Sequence, residues 1–243
     1  MTDARRLELE TNLVRVHERI DAACRAADRD PAEVTLVAIT KFFPAADVVT
    51  LVELGVRHVG ENRDQEAGAK VAELPAEVRS VLTVHFVGQL QTNKARHVVR
   101  YADVVQSADR DRLVDALDRG AGAALETGER HTPVSVTVQV DLGEGEARGR
   151  GGALPDEVPA VAERIASSEH LRLRGVMAVA PLGLDGSGTR AAFDRLLALS
   201  RRLRGDHPGA SWVSAGMSGD LETAVASGAT HLRVGTAILG PRR

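Results

Sequence analysis

The chain has 243 residues, 43% hydrophobic and 27% charged, which is ordinary for a globular protein and argues against a disordered one. Its formal net charge of -3 carries no basic excess, so we expect no nucleic-acid partner. A single cysteine, Cys24, excludes an internal disulfide or a cysteine-based zinc site, and no apolar run approaches the ~18 residues of a membrane helix.

The first twenty residues are charged and periodic, unlike a signal peptide, so we expect a cytoplasmic protein and no membrane partner. An amphipathic helix is predicted over 4–28, before Pro31. The predicted strands are 34–40, 57–60, 83–87, 104–107, 134–140, 173–179, 212–215 and 231–234. The predicted helices that follow them are 45–55, 63–74, 92–101, 109–119, 156–168, 189–204, 219–227 and 236–239, with glycine-rich loops at 142–152 and 183–188.

This alternation of strands and helices predicts a parallel sheet with α/β architecture. Eight units in 243 residues match a single (β/α)8 TIM barrel, which takes ~250 residues, here with an extra N-terminal helix. The rival is an open doubly wound sheet, but no G-x-G-x-x-G follows the first strand. No domain boundary is visible, so residues 1–243 are expected to form one domain.

Functional residues of such a barrel lie after the C-terminal ends of its strands, and the loops after strands 7 and 8 commonly bind phosphate. Here those loops are 214–220 and 235–236, which contain glycines and the hydroxyls of Ser218 and Thr236 at predicted helix starts. Backbone N–H groups at a helix start favour an anion. The alternative is that Ser218 and Asp220 only cap a helix. Two such loops at the expected places favour phosphate.

Lys41, one of only three lysines, ends the first strand. A lysine there would be partly withdrawn from water, which frees its amine to act as a nucleophile. The alternative is a strand-end lysine that reaches solvent. An amine beside a phosphate site is what a pyridoxal 5'-phosphate (PLP) aldimine requires, and also what a cofactor-free Schiff-base aldolase requires.

Three further residues have open roles at this point. Arg233 lies two residues before Gly235, so it should face the barrel interior, where an arginine needs a partner; the alternative is an outward arginine paired with a helix carboxylate. His85 is more simply a hydrogen-bonded core histidine than a ligand. Asp141 follows strand 5 and could cap the next element.

Five stretches spread over residues 36–240 resemble the pyridoxal phosphate homeostasis proteins, also called the YggS/PROSC family. They are Leu36-Val-Ala-Ile-Thr-Lys41, Gly60-Glu-Asn62, His85-Phe-Val-Gly-Gln-Leu-Gln-Thr-Asn-Lys94, Ser214-Ala-Gly-Met-Ser218, and Val234 to Gly240 with Arg233 before it. The resemblance implies a fold similar to the barrel domain of bacterial alanine racemase. The region 141–152 departs from the loop of many relatives, which leaves any ligand contact from it open.

The resemblance also implies the cofactor, PLP, and the residues that hold it. Lys41 would carry PLP as an internal aldimine, and Arg233 would face the pyridine nitrogen. Ser218, Gly235 and Thr236 would hold the phosphate. The remaining residues of this set are Ser214 and Met217, close to the phosphate, and Asn62, near the ring.

The family is regarded as PLP carriers or buffers without a known turnover, and the chemistry of Arg233 agrees. An arginine cannot accept the proton of a protonated pyridine, which weakens PLP as an electron sink. Racemisation also needs a second base, which a racemase draws from a further domain of its neighbouring subunit. We expect no such domain in a chain that ends at Arg243. The alternatives are an amino-acid racemase, a cofactor-free aldolase and an interaction module. We expect PLP and recipient PLP-dependent apo-enzymes as partners, and a monomer.

Overall fold

Eight parallel strands close into a barrel in chain order, with β8 hydrogen-bonded to β1. The computed structural model describes residues 3–143 and 151–241. The strands are β1 Thr35–Ile39, β2 His58–Glu61, β3 Thr83–Phe86, β4 Val104–Ala108, β5 Val134–Gln139, β6 Leu171–Met177, β7 Trp212–Ser214 and β8 His231–Val234. This confirms the predicted TIM barrel and excludes the open sheet. Most of the loop 142–152 lies outside the described residues.

Helices follow the strands and surround the barrel. They are α1 Asp3–Ala26, α2 Ala45–Glu53, α3 Asp64–Ala72, α4 Ala76–Val81, α5 Ala95–Tyr101, α6 Asp111–Glu126, α7 Val158–Ala166, α8 Gly186–Asp206, α9 Leu221–Ala226 and α10 Thr236–Leu239. Two short 3-10 helices cover Pro31–Glu33 and Thr92–Lys94. No helix in the described ranges is both long and apolar enough to cross a membrane.

The predicted extra helix α1 precedes the barrel and packs against α9, α10 and α2. Its buried side chains Leu9, Leu13, Val16 and Ile20 recur at helical spacing and form one apolar face. That face buries α1 against the helices at the end of the chain. The helix ends at Ala26, before Pro31, because the chain turns at Asp28, which has a positive φ of 53°.

Three departures from the predicted elements have local physical reasons. α6 runs to Glu126 instead of ending at 119, because Gly120 and Gly122 lie inside the helix where it packs closely against its neighbours. A Cβ at Gly120 would lie 3.0 Å from the Cα of Arg96 in α5. α8 begins at Gly186 because Asp185 caps it, accepting a hydrogen bond from the Gly188 amide at 2.7 Å. α4, only six residues long, was not predicted.

Aromatic rings at the first residues of β2, β7 and β8 fill the N-terminal end of the barrel. His58, Trp212 and His231 begin these strands, and the Trp212 and His231 ring centroids lie 4.2 Å apart. His85 of β3 joins them, with its ring 5.3 Å from that of His58. With this end filled by rings, ligand space lies at the C-terminal ends of the strands.

Candidate functional site

A cavity of ≈ 630 Å³ lies at the C-terminal ends of the strands, where the barrel fold predicts the site. Its walls are Ile39, Lys41, Phe42, Phe43, Asn62, Val87, Gly88, Gln89, Gln139, Met177, Val179, Met217, Ser218, Gly219, Arg233, Gly235, Thr236 and Gly240. Among these described residues there is an amine and a guanidinium but no carboxylate. The cavity therefore suits an anion.

Seven of the eight residues predicted to bind the cofactor line this cavity: Lys41, Asn62, Met217, Ser218, Arg233, Gly235 and Thr236. The eighth, Ser214, is fully buried and is not part of the wall. Its hydroxyl accepts a hydrogen bond from Arg233 at 2.7 Å. Ser214 therefore supports a wall residue and does not face the cavity itself.

A buried ion pair holds the peptide unit before Lys41. The Lys70 ammonium donates to the Glu61 carboxylate at 2.7 Å and to the Thr40 carbonyl at 2.8 Å. The Thr40 hydroxyl donates to the same Glu61 oxygen at 2.6 Å. Burial raises the pKa of Glu61, and the neighbouring Lys70 and Thr40 act in the opposite direction. This network fixes the end of β1, from which Lys41 projects.

The peptide unit after Lys41 is held from the same side. The Phe42 amide donates to the carboxylate of Glu66, which lies on α3 four residues before Lys70. Phe42 itself has a positive φ of 70°, which a residue with a Cβ adopts only when its surroundings require it. Lys41 thus sits on a short segment whose backbone is fixed on both sides by side chains from β2 and α3.

Lys41 is the single lysine on the cavity wall, and the other two lysines lie in ion pairs elsewhere. Lys70 is 7% exposed and pairs with Glu61, while Lys94 lies 3.8 Å from Asp64. All three lysines fall within the described residues. Position therefore separates Lys41 from its two alternatives.

The two predicted phosphate loops meet at the cavity. The Ala237 amide, in α10, donates to the Ser218 hydroxyl at 3.3 Å, so that Ser218 joins the loop after β7 to the start of α10. Asp220 accepts a hydrogen bond from the Met217 amide at 2.5 Å and makes no side-chain cap on α9. Asp220 therefore does not cap α9 through its side chain, whereas Ser218 accepts from an amide in the first turn of α10. Gly216 allows the turn, because its φ is +90° and a Cβ there would lie 2.5 Å from the Ala224 Cβ.

Arg233 points into the barrel, so the outward alternative is wrong. It is buried and donates to Ser214 and, at 2.7 Å, to the carbonyl of Ala178. Burial lowers its pKa to about 10, with a partial opposing effect of Asp220. The guanidinium therefore remains protonated at neutral pH and can only donate hydrogen bonds.

Asn62 reaches the cavity because Gly88 has no side chain. A Cβ at Gly88 would overlap both the backbone carbonyl and the side-chain oxygen of Asn62.

The sequence left the roles of Asp141 and His85 open. Asp141 accepts a hydrogen bond from the Gly143 amide at 2.9 Å and so stabilises a local turn. His85 has hydrogen-bonded partners at both ring nitrogens, which confirms it as a core histidine.

Several wall residues escaped the sequence interpretation. Ile39, Phe43 and Val179 are apolar, and Gln89 and Gln139 are amides, so none carries a chemical signal of its own. The one available signal was position, since each lies at or just after the C-terminal end of a predicted strand. Gln106, which does not line the cavity, was also missed, although it is a polar residue inside the fully buried strand β4.

The class of protein follows from the barrel and its cavity, and a family model agrees with it. Residues 12–243 match the family model described as "Alanine racemase, N-terminal domain". The chain belongs to the pyridoxal phosphate homeostasis protein family. It is 45% identical to the pyridoxal phosphate homeostasis protein of Mycobacterium tuberculosis, covering 98% of this chain and 95% of that protein. It is 33% identical to the protein of that name from Escherichia coli K12, covering 97% of each.

Solved structures agree with this assignment. PipY of Synechococcus elongatus, whose structure has PLP bound, is 37% identical with a TM-score of 0.76, covering 93% of this chain and 100% of that one. A structure described as an unknown protein from Bifidobacterium adolescentis is 30% identical with a TM-score of 0.89, covering 98% of this chain and 97% of that one. Alanine racemase from Corynebacterium glutamicum shares the fold. It is 16% identical with a TM-score of 0.63, and the match covers 97% of this chain and 61% of the racemase chain.

Proposed function

We propose that this chain binds PLP in the cavity at the C-terminal end of the barrel and acts as a carrier or buffer in PLP homeostasis, with residues 1–243 forming one PLP-binding domain. The observation that carries the proposal is the cavity wall itself. It places one amine, one buried guanidinium and two hydroxyl-bearing loops around a space that has no carboxylate among its described residues.

The aldehyde, the phosphate and the ring nitrogen of PLP each have a matching group on this wall. Lys41 supplies the amine that attaches the aldehyde, and Ser218, Gly235 and Thr236 supply the phosphate site. Arg233 faces the ring nitrogen as a donor, Asn62 lies near the ring, and Met217 lies close to the phosphate. PLP, when bound, supplies an electron sink whose strength depends on protonation of that nitrogen. Because Arg233 stays protonated, it favours the unprotonated nitrogen and a weak electron sink.

The wall also argues against turnover by the racemase route, which needs a base on each face of the substrate α-carbon. Among the described wall residues Lys41 is the one side chain whose neutral form is a base; the others are amides, hydroxyls, thioethers, hydrocarbons and a guanidinium. Lys41 cannot serve both faces. We therefore infer a non-catalytic role, in which a monomer in the cytoplasm holds PLP and passes it to apo-enzymes.

The test of covalent binding uses PLP added to the purified protein, followed by borohydride reduction and peptide mass mapping. We expect a yellow protein and a pyridoxyl adduct on Lys41. Lys94→Ala, which removes a lysine outside the cavity, should leave the adduct unchanged, whereas Lys41→Ala should abolish it. An adduct mainly on Lys70 or Lys94 would refute the assignment.

The same preparations separate the alternative functions. A protein that takes up no chromophore from added PLP favours the cofactor-free aldolase. Turnover of alanine or serine that disappears in Lys41→Ala would replace the carrier by a racemase. Transfer of bound PLP to a PLP-dependent apo-enzyme, followed by recovery of that enzyme's activity, is the result expected for a carrier.

A further inference from the structure

A chain of five side chains crosses the barrel interior from its N-terminal end to the cavity, and we call it the barrel relay: His58, His85, Gln106, Ser214 and Arg233. Ser214 of β7 donates to Gln106 of β4 at 2.7 Å. Because β4 and β7 are not neighbours in the barrel, this bond has to span the interior. Gln106 then contacts His85 at 2.8 Å, and His85 contacts His58 at 3.0 Å.

The direction of every hydrogen bond in the relay follows from its Arg233 end. A guanidinium only donates, so the Ser214 oxygen accepts from Arg233 and its one hydroxyl hydrogen is left for the side-chain oxygen of Gln106. The Gln106 amide nitrogen then faces His85. The opposite amide orientation would turn a second donor toward Ser214 and leave its hydroxyl hydrogen without an acceptor.

The same logic fixes the tautomers of both histidines. The His85 Nδ1 accepts from the Gln106 amide, so its hydrogen is on Nε2 and is donated to the Nδ1 of His58. This requires both rings to be neutral. Burial lowers the pKa of His85 well below its usual value, and the nearby His58, His231 and Arg233 act in the same direction. Burial also lowers the pKa of His58.

Arg233 needs such a support because it makes no ion pair with any described carboxylate and is 5% exposed. Two neutral oxygens, from Ser214 and Ala178, are the acceptors that orient it. A serine hydroxyl can rotate, and it becomes a fixed acceptor only when its own hydrogen is committed elsewhere. Gln106 supplies that commitment.

We propose that Gln106 is a positioning residue of the cavity, which fixes the polarity of the barrel relay and thereby holds the Arg233 guanidinium in place to donate to the ring nitrogen of the ligand. This inference rests on the proposed function for its ligand, but the polarity of the relay does not. The two can therefore be tested separately.

The first test needs no ligand. The ¹⁵N resonances of His85 in the unliganded protein at neutral pH should show an unprotonated Nδ1 and a protonated Nε2. Gln106→Glu keeps an acceptor for Ser214 and, in its ionised form, offers His85 no donor, so the Nδ1 of His85 should gain a hydrogen. A protonated Nδ1 in the wild type would overturn the relay, as would an unchanged Nδ1 in a variant whose ¹³C resonance shows an ionised carboxyl at position 106.

The second test compares the affinity for PLP with that for its carbocyclic analogue, in which a C–H replaces the ring nitrogen. We expect wild type to prefer PLP and Arg233→Met to lose this preference. Gln106→Met should reduce the preference by about tenfold, the effect of one lost hydrogen bond to a charged group. Gln106→Glu, which keeps the acceptor for Ser214, should retain most of it.

Thr137→Val is the matched control, because the buried Thr137 hydroxyl donates to the Gln106 backbone carbonyl at 3.1 Å and takes no part in the relay. It should lower stability and leave the preference unchanged. If Arg233→Met loses the preference but Gln106→Met does not, the positioning role is wrong while the proposed function stands. If wild type binds PLP but shows no preference, the contact of Arg233 with the ring nitrogen and the positioning role are wrong while PLP binding stands. If wild type does not bind PLP, the proposed function fails; the histidine resonances still decide the relay, including where Gln106→Met does not fold.

Discussion

The ion pair behind Lys41 gives the sharpest prediction for stability. Lys70→Met removes the ammonium that neutralises Glu61, in a place where the Lys70 and Glu61 side chains are 7% and 1% exposed. The remaining side-chain oxygen of Glu61 already has no hydrogen-bond partner. Leaving a buried charge unpaired costs about 3–5 kcal/mol. For a chain of this size each kcal/mol lowers Tm by about 2–4 °C, so we expect a decrease of roughly 6–20 °C.

The loss should depend on pH in a direction set by Glu61. Burial raises its folded-state pKa above the ordinary value, and Lys70 opposes that increase. A carboxyl with a raised pKa binds more protons in the folded state, so its unfavourable contribution grows as pH rises through the raised pKa and is absent below the unfolded pKa. Removing Lys70 raises the pKa of Glu61 further. The deficit of Lys70→Met should therefore decrease as the pH falls toward the unfolded-state pKa of Glu61.

Urea unfolding between pH 5 and 8 measures this deficit. Glu66, which lies 3.6 Å from Lys70, remains as a second carboxylate in every variant. The double variant Glu61→Gln/Lys70→Met has no buried charge at this position. It should recover much of the lost stability and lose the pH dependence. A deficit that is equal at pH 5 and pH 8, or a double variant less stable than Lys70→Met, would refute the reasoning.

Three further predictions concern the cavity. Thr236→Val should weaken PLP binding about tenfold, since a hydrogen bond to a charged group contributes ~1.5–3 kcal/mol. It should hardly affect the binding of pyridoxal, which has no phosphate. Equilibrium dialysis compares the two ligands, and an equal loss of affinity for both would place the phosphate elsewhere. Gly88→Ala should lower both PLP affinity and Tm because its Cβ overlaps Asn62, whereas Gly205→Ala in α8, with open space around it, should be neutral or stabilising; a harmless Gly88→Ala would contradict the proposed contact. Arg233→Glu should permit slow exchange of the alanine α-proton in D₂O, measured by NMR; exchange at enzyme-like rates in wild type would instead indicate a racemase.

The strands and the chemically distinctive cavity residues were predictable because both follow from local sequence. Short runs of β-branched residues between turn residues define each strand, and the barrel then brings the residues after every strand to the same opening. Lys41, Ser218 and Thr236 were therefore identified from their positions after β1, β7 and β8, and the structure brings all three to one cavity. The predicted end of α6 at 119 is wrong because glycine weakens a helix only slightly, and packing of Gly120 against α5 outweighs that effect.

The interior of the barrel was not predictable in the same way. Gln106 and Ser214 are 108 residues apart in the chain, and neither has a local pattern that names the other as its partner. Their contact depends on the closure of the barrel, which brings two non-adjacent strands to opposite sides of one interior. The support of Arg233 could be recognised only once that closure was known.

The two ends of the cavity differ in a way that suits binding with release. Hydrogen bonds hold Lys41 through Thr40 and Phe42, and Arg233 through Ser214, so the groups that we propose to contact the aldehyde and the ring nitrogen are fixed before any ligand arrives. The phosphate side is different: Thr236 is exposed and Met217 is 37% exposed. Water therefore reaches the proposed phosphate loops, which leaves that side of the cavity open to entry and departure of the ligand. An enzyme that protects reactive intermediates would close this side; a carrier that has to give up its cargo is served by leaving it open.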